Sequence, residues 1–94
     1  MRKFNVAVVG ATGAVGNEMI SVLEQRDFPV GELKLLASER SIGKELEFRG
    51  KNYPVEVLNE NSFAGIEIGL FSAGASISQK FAPIAAAAGC IVVD

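Results

Sequence analysis

Apolar positions along the chain follow two different periods. Phe4–Val9 (Phe-Asn-Val-Ala-Val-Val) is a short, β-branched run closed by Gly10, the pattern of a strand buried on both faces. From Ala14 to Gln25 the period lengthens. Val15, Met19, Val22 and Leu23 fall at i, i+4, i+7 and i+8, with Asn17, Glu18, Ser21, Glu24 and Gln25 on the other side. That spacing predicts an amphipathic helix stopped near Asp27-Phe28-Pro29. Leu33–Ala37 reads as a second strand, and polar Ser38–Lys44, with Gly43, as a loop. Glu45–Phe48 and Tyr53–Leu58 read as short strands joined by Arg49-Gly50-Lys51-Asn52, where Gly50 accepts φ > 0. Ile66–Phe71 is a further strand, followed by the small-residue turn Ser72-Ala73-Gly74-Ala75-Ser76. A helix then runs to Ala88 with Gly89 as its C′ residue. Ser76 and Gln79 have capping-box spacing, but a start there leaves Pro83 in the helix interior. A start at Ala82, with Pro83 at the first helical position, avoids that conflict. Cys90–Val93 is the last strand, and Asp94 follows it.

This strand–helix–strand rhythm predicts an α/β fold: Rossmann-like, a mostly parallel sheet with flanking helices and a small β-hairpin. No linker or charge block divides residues 1–94, so they read as one unit. A chain that ends just after an apolar strand leaves a sheet edge without a following helix. The expectation is therefore a truncated unit, the N-terminal part of a longer nucleotide-binding domain.

Composition narrows the chemistry. Nine basic and eleven acidic residues give a net charge of −2, which offers no basic footprint for nucleic acid or an anionic membrane. Histidine is absent, which removes Ser-His and Cys-His pairs and nearly every zinc site from this stretch. Cys90 is the single cysteine, so no internal disulfide forms and a reducing compartment is the plain reading. It lies between Gly89 and Ile91-Val92-Val93 without a cationic neighbour, the setting of a small core thiol rather than a nucleophile. The longest apolar stretch, Phe81 to Val93, is broken by Pro83 and Gly89 and falls short of the ~18 residues of a membrane helix. A cytoplasmic chain with no membrane or nucleic-acid partner is expected.

The chemistry that remains sits in the turns after the strands. Gly10-Ala11-Thr12-Gly13-Ala14-Val15-Gly16 joins a predicted strand to a predicted helix. Gly10 permits the sharp turn, Gly13 lets the backbone approach a ligand, and Gly16 lets the helix pack on the strand. Amides at the helix start, with the helix dipole behind them, suit a pyrophosphate. A Walker A loop would need glycine at position 15 and then lysine; Val15 and Gly16 stand there instead. The end of the second strand bears on the choice of dinucleotide. Ser38, Arg40 and Ser41 suit a 2′-phosphate, whereas Glu39 suits a free 2′-OH, and the balance favours NADP over NAD. Ser72, Ala73 and Gly74 would let the backbone approach the rest of the cofactor. The plain alternatives stay open: a connecting turn at residues 10–16, a solvated charge at Arg40, and a compact pre-helix turn at Ser72–Gly74. No catalytic or metal-ligating residue is assigned.

Taken together and in order, Gly10-Ala-Thr-Gly-Ala-Val-Gly16, Leu36-Ala-Ser-Glu-Arg-Ser41 with Gly43-Lys44, Phe71-Ser-Ala-Gly74 and Val92-Val-Asp94 resemble the N-terminal segment of the aspartate-semialdehyde dehydrogenase family. The resemblance covers the whole chain. It implies a phosphorylating aldehyde dehydrogenase that reduces L-aspartyl 4-phosphate to L-aspartate 4-semialdehyde with NADPH, in lysine, threonine and methionine biosynthesis. A cysteine thioester forms, phosphate leaves and hydride arrives from the nicotinamide. By motif match, Thr12–Val15 would hold the pyrophosphate, Ser38, Arg40 and Ser41 the 2′-phosphate, and Ser72–Gly74 the remaining cofactor. The resemblance also implies that the catalytic cysteine, the acid/base histidine and the substrate-binding arginines lie beyond position 94, and that Cys90 is not the nucleophile. The full-length family enzyme is a homodimer or homotetramer. Alternatives are an N-acetyl-γ-glutamyl-phosphate reductase, a non-catalytic NADP sensor of the atypical short-chain-reductase kind, and a Rossmann-like scaffold without a ligand.

Overall fold

A computed structural model describes residues 2–93. Its six strands are β1 (Phe4–Val9), β2 (Val30–Ala37), β3 (Glu45–Phe48), β4 (Lys51–Val57), β5 (Ile68–Phe71) and β6 (Ile91–Val93). They form one sheet in the order β3-β4-β2-β1-β5-β6. All neighbours are parallel except β3, which runs antiparallel to β4. Helix α1 (Ala14–Gln25) connects β1 to β2 and α2 (Ala75–Ala87) connects β5 to β6. This is the Rossmann-like arrangement the strand rhythm predicts, including the hairpin. Asp94, the end of the last sequence motif, lies outside the described residues.

Both faces of the central strands are buried, which is why β1 reads as a continuous apolar run. Val6, Val8, Leu33, Leu35 and Val55 pack with Ile20 and Leu23 of α1 on one face. Ala7, Val9, Leu36 and Phe71 pack with Phe81 and Ala85 of α2 on the other. The connection from β4 back across the sheet to β5 has no helix; it inserts Phe63 and Ile66 into that second face instead. Phe63 stacks on Phe71 with ring centroids 5.8 Å apart.

The two helices correct the sequence reading in different ways. The buried line on α1 is Gly16, Ile20 and Leu23, whereas Val15 and Val22 are 57% and 43% exposed. The phase shift has a physical origin. A Cβ on Gly16 would lie 2.2 Å from the Gly10 carbonyl oxygen, so the closest point of helix–strand contact is a residue without a side chain. Hydrophobic periodicity cannot register such a position. Helix α2 begins at Ala75 rather than Ala82 and carries Pro83 inside it. Pro83 and Gln79 both face solvent. Water can therefore take the Gln79 carbonyl that loses its i+4 donor. At the other end Gly89 has φ +94. Cys90 N–H donates to Ala85 O (3.0 Å) and Gly89 N–H to Ala86 O (3.0 Å). These are the paired bonds of a Schellman ending, with Gly89 as the expected C′ residue.

The predicted strand ends move by a few residues. β2 starts at Val30 rather than Leu33, and β5 starts at Ile68 rather than Ile66. The hairpin turn shrinks to Arg49-Gly50, with Phe48 paired to Lys51 and φ of +53 and +77 at the two turn residues. Arg49 fastens this hairpin to α1: its backbone N–H donates to Glu24 Oε2 (2.6 Å) and its guanidinium reaches Leu23 O (3.4 Å). At the amino end of the sheet, Asn5 N–H donates to Glu67 Oε1 (3.0 Å), Asn5 Nδ2 donates to Gly65 O (3.0 Å), and Arg2 pairs with Glu67. No helix among the described residues is long and apolar enough to cross a membrane.

Candidate functional site

From β1 the chain moves through α1 to β2 on one side, and from β5 through α2 to β6 on the other. β1 and β5 therefore flank the point where strand order reverses, and a crevice opens beyond their carboxyl ends. The register brings the relevant turns level. Val9 lies opposite both Leu36 and Phe71, and Ala37 lies opposite Val57. The turns after β1, β2, β4 and β5 thus share one rim.

The glycine turn is built from the backbone. Gly10 N–H and Ala11 N–H both donate to Leu36 O, at 2.8 and 3.1 Å. Gly13 N–H donates back to Gly10 O (3.1 Å), and Asn17 N–H takes Gly13 O (2.9 Å). The Asn17 side chain also donates to Gly13 O (2.8 Å) and Ala11 O (3.3 Å), bracing the turn from inside the helix. Gly10, at φ +84, sits so close to the β5 turn that a Cβ there would lie 3.0 Å from the Ala73 backbone. Gly13 differs. It caps α1 at φ −80, and its absent Cβ would meet nothing nearer than 3.5 Å. Amides of Ala14, Val15 and Gly16 are the orphan donors of the first turn. No side chain caps them and no acidic residue stands in that turn. This cradle fits an anionic group, and the space around position 13 at its edge is open.

The segment after β2 is a single 3₁₀ turn, Glu39–Ser41, closed by Ser41 N–H to Ser38 O (3.0 Å). Ser41 is buried and its Oγ lies 3.0 Å from Thr12 Oγ1, which ties this turn to the glycine turn. Ser38, Glu39 and Arg40 are exposed. After β5, Ser72 Oγ donates to Val9 O (2.8 Å) and lies 3.3 Å from Gly10 O. Its hydroxyl joins the two turns. Gly74 caps α2 at φ +93, a conformation that favours glycine.

These turns enclose an open cleft of about 500 Å³. Its polar wall includes Thr12, Ser38, Glu39 and Lys80, and its apolar wall includes Leu58, Ile77 and Phe81. Of the residues singled out in the sequence, Gly10, Thr12, Ser38 and Ala73 line this cleft. Gly13, Ala14, Val15 and Gly16 form the helix start beside it. Ser41 and Ser72 hold the rim together, and Arg40 stands on the neighbouring turn outside the wall. Asn17, Leu58, Ile77, Lys80 and Phe81 were missed. Ile77, Lys80 and Phe81 occupy one side of α2 at helical spacing, a signal hidden by starting that helix seven residues late. A second hollow of about 470 Å³, lined by Glu32, Lys34, Lys51 and Glu56 among others, lies over β2 and β4 away from these turns. Cys90 is buried, and burial pushes its thiol pKa up, as a core residue requires. No cluster of metal-ligating side chains occurs among the described residues.

Comparison with known proteins agrees with this geometry. The sequence model of a family described as semialdehyde dehydrogenase, NAD binding domain, matches residues 5–94. The aspartate-semialdehyde dehydrogenase of Aquifex aeolicus is 59% identical over 92 residues, covering 97% of this chain and 27% of the relative. Aspartate-semialdehyde dehydrogenase 2 of Vibrio cholerae is 55% identical over 93 residues, covering 99% of this chain and 28% of the relative. The crystal structure of aspartate semialdehyde dehydrogenase II from Vibrio cholerae, complexed with ASA, superposes with a TM-score of 0.95 at 55% identity, over 99% of this chain and 31% of that one. The chain spans less than a third of the length of these relatives. Their names do not favour the N-acetyl-γ-glutamyl-phosphate reductase alternative.

Proposed function

This chain belongs to the family of semialdehyde dehydrogenase NAD-binding domains, and from that premise we propose that it is the NADP-binding segment of an aspartate-semialdehyde dehydrogenase. The parent enzyme reduces L-aspartyl 4-phosphate to L-aspartate 4-semialdehyde with release of phosphate. Bound NADPH supplies the hydride. Residues 1–94 supply none of the catalytic groups; they bind and orient the dinucleotide, as the N-terminal part of a dinucleotide-binding domain. The catalytic and dimerisation domain belongs to the length of the relatives that this chain does not span, and the full-length protein is a cytoplasmic homodimer or homotetramer.

One observation carries this reading. The Thr12–Ser41 hydroxyl contact sets the 3₁₀ turn beside the uncapped amides of α1. A diphosphate on the amides of Ala14, Val15 and Gly16 then leaves its adenosine ribose near Ser38 and Arg40. Gly13 keeps the approach open, while Ser72, Ala73 and Gly74 keep the second turn low enough for the rest of the cofactor to pass. Arg40 forms no ion pair among the described residues, so its guanidinium is free to meet a 2′-phosphate.

The test is calorimetric titration of the chain with NADP and with NAD. Both nucleotides should bind, NADP with the lower Kd. Equal constants would remove the 2′-phosphate preference, and absence of binding by either would remove the dinucleotide reading.

A further inference from the structure

The cleft wall contains two side chains of opposite charge on facing elements. Glu39 stands just beyond the carboxyl end of β2 and Lys80 on the second turn of α2. Both line the same hollow, together with Leu58 and Ile77. They form no ion pair with each other or with any other described residue. Lys80 Nζ lies over the Phe81 ring, 5.2 Å from its centroid, so its stem follows apolar surface while the ammonium stays at the rim. Arg40, by contrast, does not contribute to this wall.

We propose that Lys80 is a specificity-determining residue of the cleft, favouring the 2′-phosphorylated adenosine against the opposite preference of Glu39. The inference rests on the dinucleotide reading above and deepens it. A carboxylate at this rim accepts a hydrogen bond from a free ribose 2′-OH and repels a 2′-phosphate. An ammonium on the facing helix attracts that phosphate and gains nothing from the hydroxyl. With one of each, the two wall charges offset each other, and the Arg40 guanidinium adds its attraction for the 2′-phosphate from the neighbouring turn. Such a site discriminates only moderately, and removing either charge moves the preference in a predictable direction.

The experiment uses the 94-residue chain and two small probes, 2′,5′-ADP and 5′-AMP, which differ only in the 2′-phosphate. Both side chains are exposed, so substitution should leave folding intact, checked by circular dichroism. Lys80→Gln should weaken 2′,5′-ADP by about three- to tenfold, the range for a charged contact at a solvated rim. Affinity for 5′-AMP should stay within about twofold of wild type, well inside that range. Glu39→Gln should strengthen 2′,5′-ADP and weaken 5′-AMP, and Lys80→Arg should keep the wild-type preference. Equal weakening of both probes by Lys80→Gln, or no change in either, overturns the proposal while leaving dinucleotide binding in place. Wild-type chain that binds neither probe overturns the underlying reading, and this inference with it.

Discussion

At the level of single residues, the glycines of the first turn separate into tightly packed and open positions, although the sequence presents them as one motif. Gly16 is a packing requirement: a Cβ there would meet the Gly10 carbonyl oxygen at 2.2 Å and Ala11 Cα at 2.9 Å, both backbone atoms that cannot swing aside. Gly16→Ala should therefore destabilise the fold by about 1–3 kcal/mol, as overpacking at a tight contact does, read as a lower urea midpoint. Gly13 is open, at an ordinary negative φ with 3.5 Å to its nearest neighbour. Gly13→Ala should cost less than about 1 kcal/mol of stability, the difference between glycine and alanine as an N-cap, yet weaken NADP, because the added methyl occupies open space at the start of α1. A loss of stability in Gly13→Ala matching that in Gly16→Ala would contradict this division. The serines divide in a similar way. Ser38 faces the cleft, whereas Ser41 and Ser72 direct their hydroxyls to Thr12 and Val9. Residue type and spacing mark Ser38 and Ser41 as phosphate-compatible and Ser72 as a small residue beside the cofactor; only tertiary contacts show which hydroxyls are already engaged.

At the level of elements, what could be read in the sequence tracks how strongly each signal is local. β1, α1 and β3 have the boundaries their patterns predict, since apolar runs and glycine punctuation are encoded within a few residues. The Gly89 ending of α2 was readable for the same reason. Its start was not. The rule that proline breaks helices assumes that the orphaned carbonyl is costly, and on a solvent-facing turn water removes most of that cost. The error extended to the site, because Ile77 and Lys80 lie on the turns that the late start discarded. Pro83 still replaces a helical hydrogen bond with a solvated carbonyl. Pro83→Ala should accordingly raise stability by about 0.5–1 kcal/mol, the net worth of one restored helical hydrogen bond, measured by urea unfolding, with nucleotide affinity unchanged. A lower midpoint would mean that the fixed proline backbone at position 83 helps to seat Phe81 and Ala85 on the sheet. The connection from β4 to β5 was equally unreadable. Phe63 and Ile66 show no period there, and only the long-range fold reveals that they complete the core of the α2 face.

Across the whole molecule, the cleft and the fastening contacts sit at opposite ends of the sheet. The carboxyl ends of the strands hold the cleft, and the amino ends are tied by Glu67, which accepts from the Asn5 amide and pairs with Arg2. Glu67 has its carboxyl pKa lowered, first by the Asn5 backbone hydrogen bond and also by the Arg2 guanidinium, with partial burial acting the other way. A carboxylate whose pKa is lower folded than unfolded binds fewer protons in the native state. Its stabilising contribution is complete above the ordinary carboxylate range and disappears as pH falls through the lowered folded value. Stability of the chain should therefore decline on acidification below that range, and Glu67→Gln should reduce the steepness of the decline while costing stability at neutral pH. Urea midpoints of wild type and Glu67→Gln between pH 3 and pH 7 make the comparison, since that interval spans the ordinary carboxylate range. Curves that stay parallel throughout would show that the Asn5–Glu67–Arg2 clamp contributes nothing to the acid response. The clamp lies a full strand length from the glycine turn, so Glu67→Gln should leave the Kd for NADP at pH 7 unchanged. A coupled loss of affinity would instead mean that slippage of β1 against β5 carries through the register from Val6–Ile68 to Val9–Phe71 and displaces the turns at the rim.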